Sequence, residues 1–234
     1  RCLGKLAWLD RADIRAAVIK GAMMTSQATP VSMSNLKEVW RYLMATADTQ
    51  HGVYPVTGEG ASFSPAVGKV VVYTDADFAS CKQDGRSISG HAIWVSAGTE
   101  FFPVSWGSKK QQTVALSSGE SEVTSLCAGV AWACGVRQVW RDLLEGQPGI
   151  VVPRETELAA GCDGGSAVSM CKKKGSSQRT RHIMIKVFYL QSVVRFPWAE
   201  VRNVSGVDMW ADMLTKTNHR WPASHRHMLG LEDP

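Results

Sequence analysis

The spacing of apolar and polar positions divides the chain into a helical first part and a later part that mixes strands with helices. Residues 1–50 carry apolar side chains at helical spacing, and Ser34 is the predicted N-cap of a helix over residues 35–46. Residues 50–66 are rich in Gly, Pro and Ser. This composition predicts a hairpin or linker, and with it the best domain boundary in the chain.

Short runs of β-branched and aromatic residues predict three strands in close succession, at residues 69–74, 88–96 and 100–106. Because only a few turn residues separate these runs, we expect an antiparallel meander. A long helix is then predicted from Ser117 to about Leu144, with an apolar stripe along one side.

The rest of the chain alternates between the two kinds of element. The predicted order is a strand, a short helix from Gly164, a longer helix, a strand and a closing helix, with the longer elements at residues 158–162, 183–195, 198–204 and 207–216. This order predicts the α/β class, with a mixed sheet of five strands flanked by helices and preceded by an N-terminal helical segment.

Composition changes this picture little. The 234 residues are 44% hydrophobic and 20% charged, as in an ordinary globular protein. No run of about 18 apolar residues occurs, so neither a membrane-spanning helix nor a membrane partner is expected. The six cysteines form no C-x-x-C pair, which favours free thiols in a reducing intracellular setting over disulfides or a zinc site.

Positive charge is concentrated in one stretch. The net charge is +5, yet no acidic residue occurs between Asp163 and Glu200, an interval with many basic side chains: Lys172, Lys173, Lys174, Arg179, Arg181, His182, Lys186 and Arg195. Such a run forms either a solvated face or a surface for nucleic-acid phosphates, and charge alone leaves both open.

Four acidic residues fall near the ends of predicted elements. Asp75 ends the first strand, Glu122 lies in the first turn of the long helix, Asp163 ends the fourth strand, and Asp212 lies in the closing helix. Buried carboxylates are costly unless they are paired or bind a metal, and hard oxygen ligands suit Mg²⁺ or Mn²⁺. Two such ions about 4 Å apart support phosphodiester cleavage. The spacing alone is weakly specific.

Six sequence blocks surround these acids. They are YTDADFAS (73–80), RSISGHAIWV (86–95), PVSWGSKKQQTVALSSGESEV (103–123), CDGGSAV (162–168), RTRHIMI (179–185) and WADMLTK (210–216). Together they resemble the ribonuclease H domain of copia-type retrotransposon Pol polyproteins. RADI (11–14) and VWRYL (39–43) resemble the segment between the polymerase and ribonuclease H parts of such polyproteins.

The resemblance implies a ribonuclease H-like fold and a function. The chain would be a metal-dependent endonuclease that hydrolyses the RNA strand of RNA–DNA hybrids during reverse transcription, with two Mg²⁺ or Mn²⁺ ions. Its partners would be the hybrid and the reverse transcriptase domain of the same polyprotein, in a cytoplasmic retrotransposon particle or the nucleus. Residues 1–60 would be a helical remnant of the thumb or connection region, 67–217 the ribonuclease H-like domain and 218–234 a C-terminal tail.

Residue by residue, the resemblance implies that Asp75, Glu122, Asp163 and Asp212 bind the metals and catalyse. Glu120 is the alternative to Glu122 in the S-x-E-x-E pattern, and Asp77 is the alternative to Asp75 in the D-x-D pattern.

A ribonuclease H also has to hold a duplex and read ribose 2′-hydroxyls. The candidates for substrate contact are Ser108, Lys109 and Lys110 before the long helix, and Lys173, Arg179, Arg181 and His182 in the basic stretch. A structural role is the alternative for His182, and a solvated loop is the alternative for the basic stretch.

The chain departs from the family pattern at several positions. Gly119 replaces a common Thr, Val123 an aromatic, Gly164-Gly165 an Asn-Gln pair, and Met184 an acidic residue. The two glycines would loosen the helix start beside Asp163. An alternative function is therefore a decayed or domesticated copy that binds nucleic acid or a polymerase without cleaving.

Overall fold

The computed structural model describes residues 6, 9–52, 56–57, 68–97, 100–147, 157–175, 178–217 and 221–232. Its helices are α1 (Arg15–Met23), α2 (Pro30–Ala45), α3 (Ser118–Glu145), α4 (Gly165–Lys172), α5 (Met184–Val193) and α6 (Ala223–Met228). Its strands are β1 (Gln50–His51), β2 (Val56–Thr57), β3 (Val70–Asp77), β4 (Ile88–Ala97), β5 (Glu100–Lys110), β6 (Leu158–Cys162), β7 (Ala199–Asn203) and β8 (Leu231–Glu232).

The five predicted strands form one mixed sheet, as expected. Its order is β2-β5-β4-β3-β6-β7, in which the two-residue β2 adds a sixth strand to the edge beside β5. Strands β3, β4 and β5 form the predicted antiparallel meander, while β6 pairs parallel to β3 and β7 parallel to β6. The predicted α/β fold with a mixed sheet is therefore confirmed.

Strand β3 is the centre of the sheet because it is buried on both faces. Val70 and Val72 pack on one side in a cluster with apolar residues of α3, α4 and α5. Val71 and Tyr73 point to the opposite side, as the two-residue period of a strand requires. There Tyr73 meets Trp210 edge-on at 4.8 Å between ring centroids.

The long helix α3 begins and ends within one residue of its predicted limits. The Ser117 side chain accepts a hydrogen bond from the backbone N–H of Glu120, which satisfies one of the free donors of the first turn. Val123, Leu126 and Val130 then face the sheet at helical spacing.

Two predicted elements were wrong in detail. Helix α2 begins at Pro30 rather than after Ser34, because Thr29 and Ser32 form a reciprocal capping box and Pro30 suits the first helical position. The predicted helix over residues 207–216 is two short 3₁₀ turns, Gly206–Asp208 and Trp210–Leu214. The buried Met209 separates them because its backbone is non-helical, with ψ at 82°.

The helix predicted over residues 183–195 was too long at both ends. Residues 183–195 contain α5, which follows a 3₁₀ turn, Gln178–Ile183.

Both ends of the described chain pack against the face of the sheet that carries Val71 and Tyr73. Ala12 is buried there, as are Met228 and Leu231. Strand β1 pairs antiparallel with β8. Residues 53–55 and 58–67 of the predicted linker lie outside the described residues, and the domain limits at 60, 67, 217 and 218 stay predictions.

Two negative expectations concern cysteines and membranes. Among the described cysteines, Cys81, Cys127, Cys134, Cys162 and Cys171 carry free thiols, while Cys2 lies outside the described residues. Within the described residues, no helix combines the length and the apolar character needed to span a membrane.

Candidate metal centre

Three predicted aspartates meet beside the ends of two neighbouring parallel strands. Thr74 pairs with Cys162 in the β3–β6 ladder, so the residues that follow them, Asp75 and Asp163, lie side by side. Asp212 is supplied by the turn Trp210–Leu214, which packs against β3 and β4. One carboxylate oxygen from each aspartate lies within 4.8 Å of one from each of the others.

Glu122 joins this cluster from the first turns of α3. A carboxylate oxygen of Glu122, the Cys162 sulphur and an oxygen of Asp163 form a second group within 4.8 Å, so Asp163 is common to both groups. Glu122 Oε2 lies 3.5 Å from Cys162 Sγ. The four predicted carboxylates are thus brought together in two overlapping groups.

The two alternative acids have other partners. Glu120 Oε2 accepts a hydrogen bond from the Leu116 backbone N–H at 2.7 Å and lies 2.9 Å from His182 Nε2. Asp77 forms an ion pair with Lys20 of α1, at 2.8 Å. The contact of His182 with Glu120 joins the turn before α5 to the start of α3, and a role of His182 in substrate contact stays a prediction.

Asp75 is held rigidly. Its carboxylate accepts a hydrogen bond from the Thr215 hydroxyl, and the Ser125 hydroxyl donates to its backbone carbonyl at 2.7 Å. Gly90, the cross-strand partner of Asp75, makes room for this contact, since a Cβ there would lie 2.7 Å from Thr215 Cγ2. Asp75 itself is only 1% exposed.

Burial and mutual repulsion raise the pKa values of Glu122, Asp163 and Asp212. Burial, aided by the charges of Asp75 and Asp163, raises the pKa of Glu122 to about 8. Burial raises the pKa of Asp212 to about 6, although a hydrogen bond from Lys216 acts in the opposite direction. The pKa of Asp163 is also raised, by burial and by Asp75. Such a cluster is most stable when a cation offsets its charge.

The donor set fits a hard divalent cation. Carboxylate oxygens at this spacing are the ligands that Mg²⁺ and Mn²⁺ prefer. Burial, the largest cause, raises the pKa of the Cys162 thiol well above its ordinary value, so the thiol stays protonated. A protonated thiol is a poor ligand, and the hard oxygens define the site.

Lys216 also reaches the cluster, and the sequence interpretation missed it. Its Nζ lies 2.7 Å from Asp212 Oδ1 and 3.5 Å from Asp75 Oδ1. Burial disfavours the ammonium, but Asp75, Asp212 and Asp163 outweigh it, so the pKa of Lys216 is raised. The four-residue spacing from Asp212 was a signal for the first contact. The second contact depends on the tertiary fold.

Gly164 shapes the position of Glu122. It is the N-cap residue of α4 and supplies no side-chain cap, and the expected loosening of this helix start stays a prediction. A Cβ at this position would lie 2.8 Å from Glu122 Cγ. The glycine therefore allows the Glu122 side chain to lie against the start of α4.

The predicted substrate residues of β5 are partly engaged within the protein. The Ser108 hydroxyl donates a hydrogen bond to the Leu214 carbonyl, and Lys110 Nζ lies 2.6 Å from Asp84 Oδ2. Lys109 is exposed on the same strand. Ser108 thus helps to fasten the turn that carries Asp212.

The basic stretch forms an exposed surface. Lys173 and Arg181 are exposed, whereas the side chain of Arg179 lies outside what the structure describes. The residues Lys172, Lys173 and Lys174 line a cleft of about 410 Å³ together with Arg195 and Arg202. Glu200 lines the same cleft and pairs with Arg202, so the excess positive charge there comes from the three lysines and Arg195.

Comparison with known proteins gives several relatives but no matching protein-family model. The chain is 30% identical over 219 residues to the retrovirus-related Pol polyprotein from transposon RE1 of Arabidopsis thaliana, which covers 92% of this chain and 13% of that protein. It is 29% identical over 181 residues to the corresponding polyprotein from transposon TNT 1-94 of Nicotiana tabacum, covering 77% and 12%.

Two further similarities are of a different kind. The chain is 38% identical over 119 residues to secreted RxLR effector protein 161 of Plasmopara viticola, covering 50% of this chain and 74% of that protein. The solved structure of RNase H1 from the archaeon Halobacterium salinarum NRC-1 covers 62% of this chain and 93% of its own, with 14% identity and a TM-score of 0.42. A structural similarity this weak adds no support to the strand order described above.

The strand order, the parallel β3–β6 pair and the carboxylates beside it define an α/β domain of the ribonuclease H-like class. Over 92% of its length the chain is similar to the retrovirus-related Pol polyproteins from transposons RE1 and RE2 of Arabidopsis thaliana. It spans 13% and 14% of the length of the RE1 and RE2 polyproteins.

Proposed function

We propose that this chain is a metal-dependent endonuclease that hydrolyses the RNA strand of an RNA–DNA hybrid during reverse transcription of a retrotransposon. The observation that carries the proposal is the meeting of Asp75, Asp163 and Asp212 within 4.8 Å, with Glu122 joined to them through Asp163. Buried acids with raised pKa values have little structural use, whereas they suit a site for divalent cations.

The chain's own residues hold and orient the site. Thr215 and Ser125 fix Asp75, and the turn Trp210–Leu214 presents Asp212 to it. Two Mg²⁺ or Mn²⁺ ions, when bound, would supply activation of water and stabilisation of the charge on the leaving 3′ oxygen. Because Thr215 and Ser125 hold Asp75 in place, the site would need little reorganisation, which favours catalysis.

The basic surface supports a nucleic-acid substrate. Lys173 and Arg181 are exposed, and Lys109 lies on β5, next to the strand that pairs with β3. Such side chains would bind phosphates without reading sequence, as a nuclease that follows a polymerase requires. The reverse transcriptase part of a Pol polyprotein is the proposed partner, and the proposed location is a cytoplasmic retrotransposon particle or the nucleus.

A second candidate is a domesticated copy that holds nucleic acid or a polymerase without cleaving. Gly164 favours it, because the start of α4 beside Asp163 has no side-chain cap. One similar protein is named as a secreted effector and not as a Pol polyprotein, which also supports this second candidate.

A cleavage assay separates the two candidates. The purified chain is incubated with end-labelled RNA–DNA hybrid, RNA duplex and DNA duplex of one sequence, with Mg²⁺, with Mn²⁺ or with a chelator. We expect cleavage of the RNA strand of the hybrid alone, and only with metal. Binding of the hybrid without cleavage in either metal would favour the domesticated copy.

A further inference from the structure

Lys216 faces two of the three clustered aspartates. Its ammonium nitrogen lies 2.7 Å from Asp212 Oδ1 and 3.5 Å from Asp75 Oδ1. The neighbouring Thr215 hydroxyl donates to the other oxygen of Asp75, Oδ2. Two consecutive residues therefore engage both oxygens of the most buried acid in the cluster.

This contact differs from a surface ion pair. The side chains of Asp75 and Asp212 are only 2% and 18% exposed, although that of Lys216 is 42% exposed. Water screens such a pair less than it screens an exposed one, whose net contribution is usually small. The ammonium therefore offsets the charge of acids that would otherwise repel one another in a poorly solvated place.

The same two carboxylates belong to the group that could hold a divalent cation. Mg²⁺ binds carboxylate oxygens at about 2.0–2.1 Å. A cation held between Asp75 and Asp212 would then lie close to the lysine ammonium, because both would bind the same two carboxylates. Two positive charges at that separation repel strongly where water is scarce. Binding of the divalent cation must therefore weaken the contact between the Lys216 ammonium and the two carboxylates, and the ammonium must in turn weaken binding of the divalent cation.

We propose that Lys216 is a resident counter-cation of the carboxylate cluster, which a divalent cation has to displace from Asp212. The inference rests on the proposed function, since it assumes that the cluster binds a divalent cation. It makes Lys216 a positioning residue: it stabilises the metal-free site and raises the metal concentration that the site requires. The flexible four-carbon stem of lysine suits this role, because it can swing away without moving the backbone.

Metal affinity tests the displacement. Calorimetric titration with Mn²⁺ should give a Kd for Lys216→Met lower than that of the wild type by roughly fivefold or more, the lower range for coupled sites. Lys216→Arg keeps the charge and should stay closer to the wild type. Lys37→Met removes an exposed charge from α2 and should leave the Kd unchanged. An equal or higher Kd for Lys216→Met would overturn the proposal.

Stability of the metal-free protein tests the counter-cation independently. In chelator, Lys216→Met should lower the Tm, and this loss should be much smaller in the Asp212→Asn background, where one of the unpaired charges is gone. The double variant also serves if Lys216→Met alone does not fold. Equal losses in both backgrounds would overturn the proposal. A wild type that binds no Mn²⁺ would instead remove the proposed function, and this stability comparison would still decide the role of Lys216.

Discussion

At the residue scale, the site owes its character to acids buried beside one another. The positions of Asp75, Glu122, Asp163 and Asp212 could be predicted from the sequence, because each lies near the end of a strongly patterned element or in a specific motif. Thr215, Ser125 and Lys216 were not predicted. Their contacts with Asp75 join residues 50 to 141 positions apart, and no local pattern reports such contacts.

The raised pKa of Glu122 predicts a pH dependence of stability. Its pKa is about 8 in the folded chain against an ordinary value of 4.5, with burial as the main cause. Between these values the folded state holds a proton that the unfolded state has released, so the metal-free protein loses stability as pH rises from about 4.5 to about 8. Asp212 acts in the same direction over a lower range.

This expectation is checked by measuring Tm against pH in chelator. Glu122→Gln keeps the shape of the side chain and removes its titration, so the decline in Tm towards pH 8 should be shallower. Glu120→Gln, two residues away, is the matched control and should keep the wild-type profile. Identical profiles for the wild type and Glu122→Gln would show that this carboxylate is not the source of the decline.

At the element scale, β4, β6 and α3 were predicted to within one residue at each end, whereas β3 and β5 run three and four residues past their predicted ends. Strand β6 begins and ends at the predicted residues, and α3 begins one residue after its predicted start, because Ser117 is its N-cap. The turns before and around Asp212 were misread as one helix. The apolar spacing there is helical, but burial of Met209 in a non-helical conformation overrides it.

The start of α3 predicts a specific loss of stability. Ser117→Ala removes the hydroxyl that accepts from the Glu120 backbone N–H, which should cost about 1 kcal/mol. Because Glu122 lies in the turn that this cap fixes, metal affinity should fall as well. Chemical denaturation and Mn²⁺ titration measure the two effects. Ser118→Ala alters the exposed neighbour and should change neither quantity; equal effects of the two variants would contradict the role of the cap.

At the scale of the whole molecule, the mixed sheet and its antiparallel meander were predicted, but the position of β6 and β7 beside β3 and the short added strands were not. Strands β1, β2 and β8 have only two residues each, so they are too short to show an alternation of apolar and polar positions. The exposed basic side was visible in the sequence as a stretch without acids. The sequence did not indicate that part of this stretch lines a cleft beside β7.

This basic surface predicts how hybrid binding responds to salt. Replacing Lys173 and Arg181 by Ala should weaken binding about equally for all sequences and reduce the slope of log affinity against log salt by roughly one per lost phosphate contact. Fluorescence anisotropy over a salt series measures this slope. The pair Lys37→Ala and Arg41→Ala on α2 removes the same charge and should leave the slope unchanged. An unaltered slope in the Lys173 and Arg181 variant would make that stretch an ordinary solvated face.

The most direct measurement is hybrid cleavage by the wild type, Glu122→Gln and Glu120→Gln in Mg²⁺, with hybrid affinity measured alongside. Since affinity comes mainly from basic contacts with phosphates, Glu122→Gln should bind the hybrid almost normally and lose cleavage, while Glu120→Gln should keep most of it. Cleavage lost only in Glu120→Gln would move the site by two residues. No cleavage by the wild type, in Mg²⁺ or in Mn²⁺, would contradict the claim that this chain is a ribonuclease.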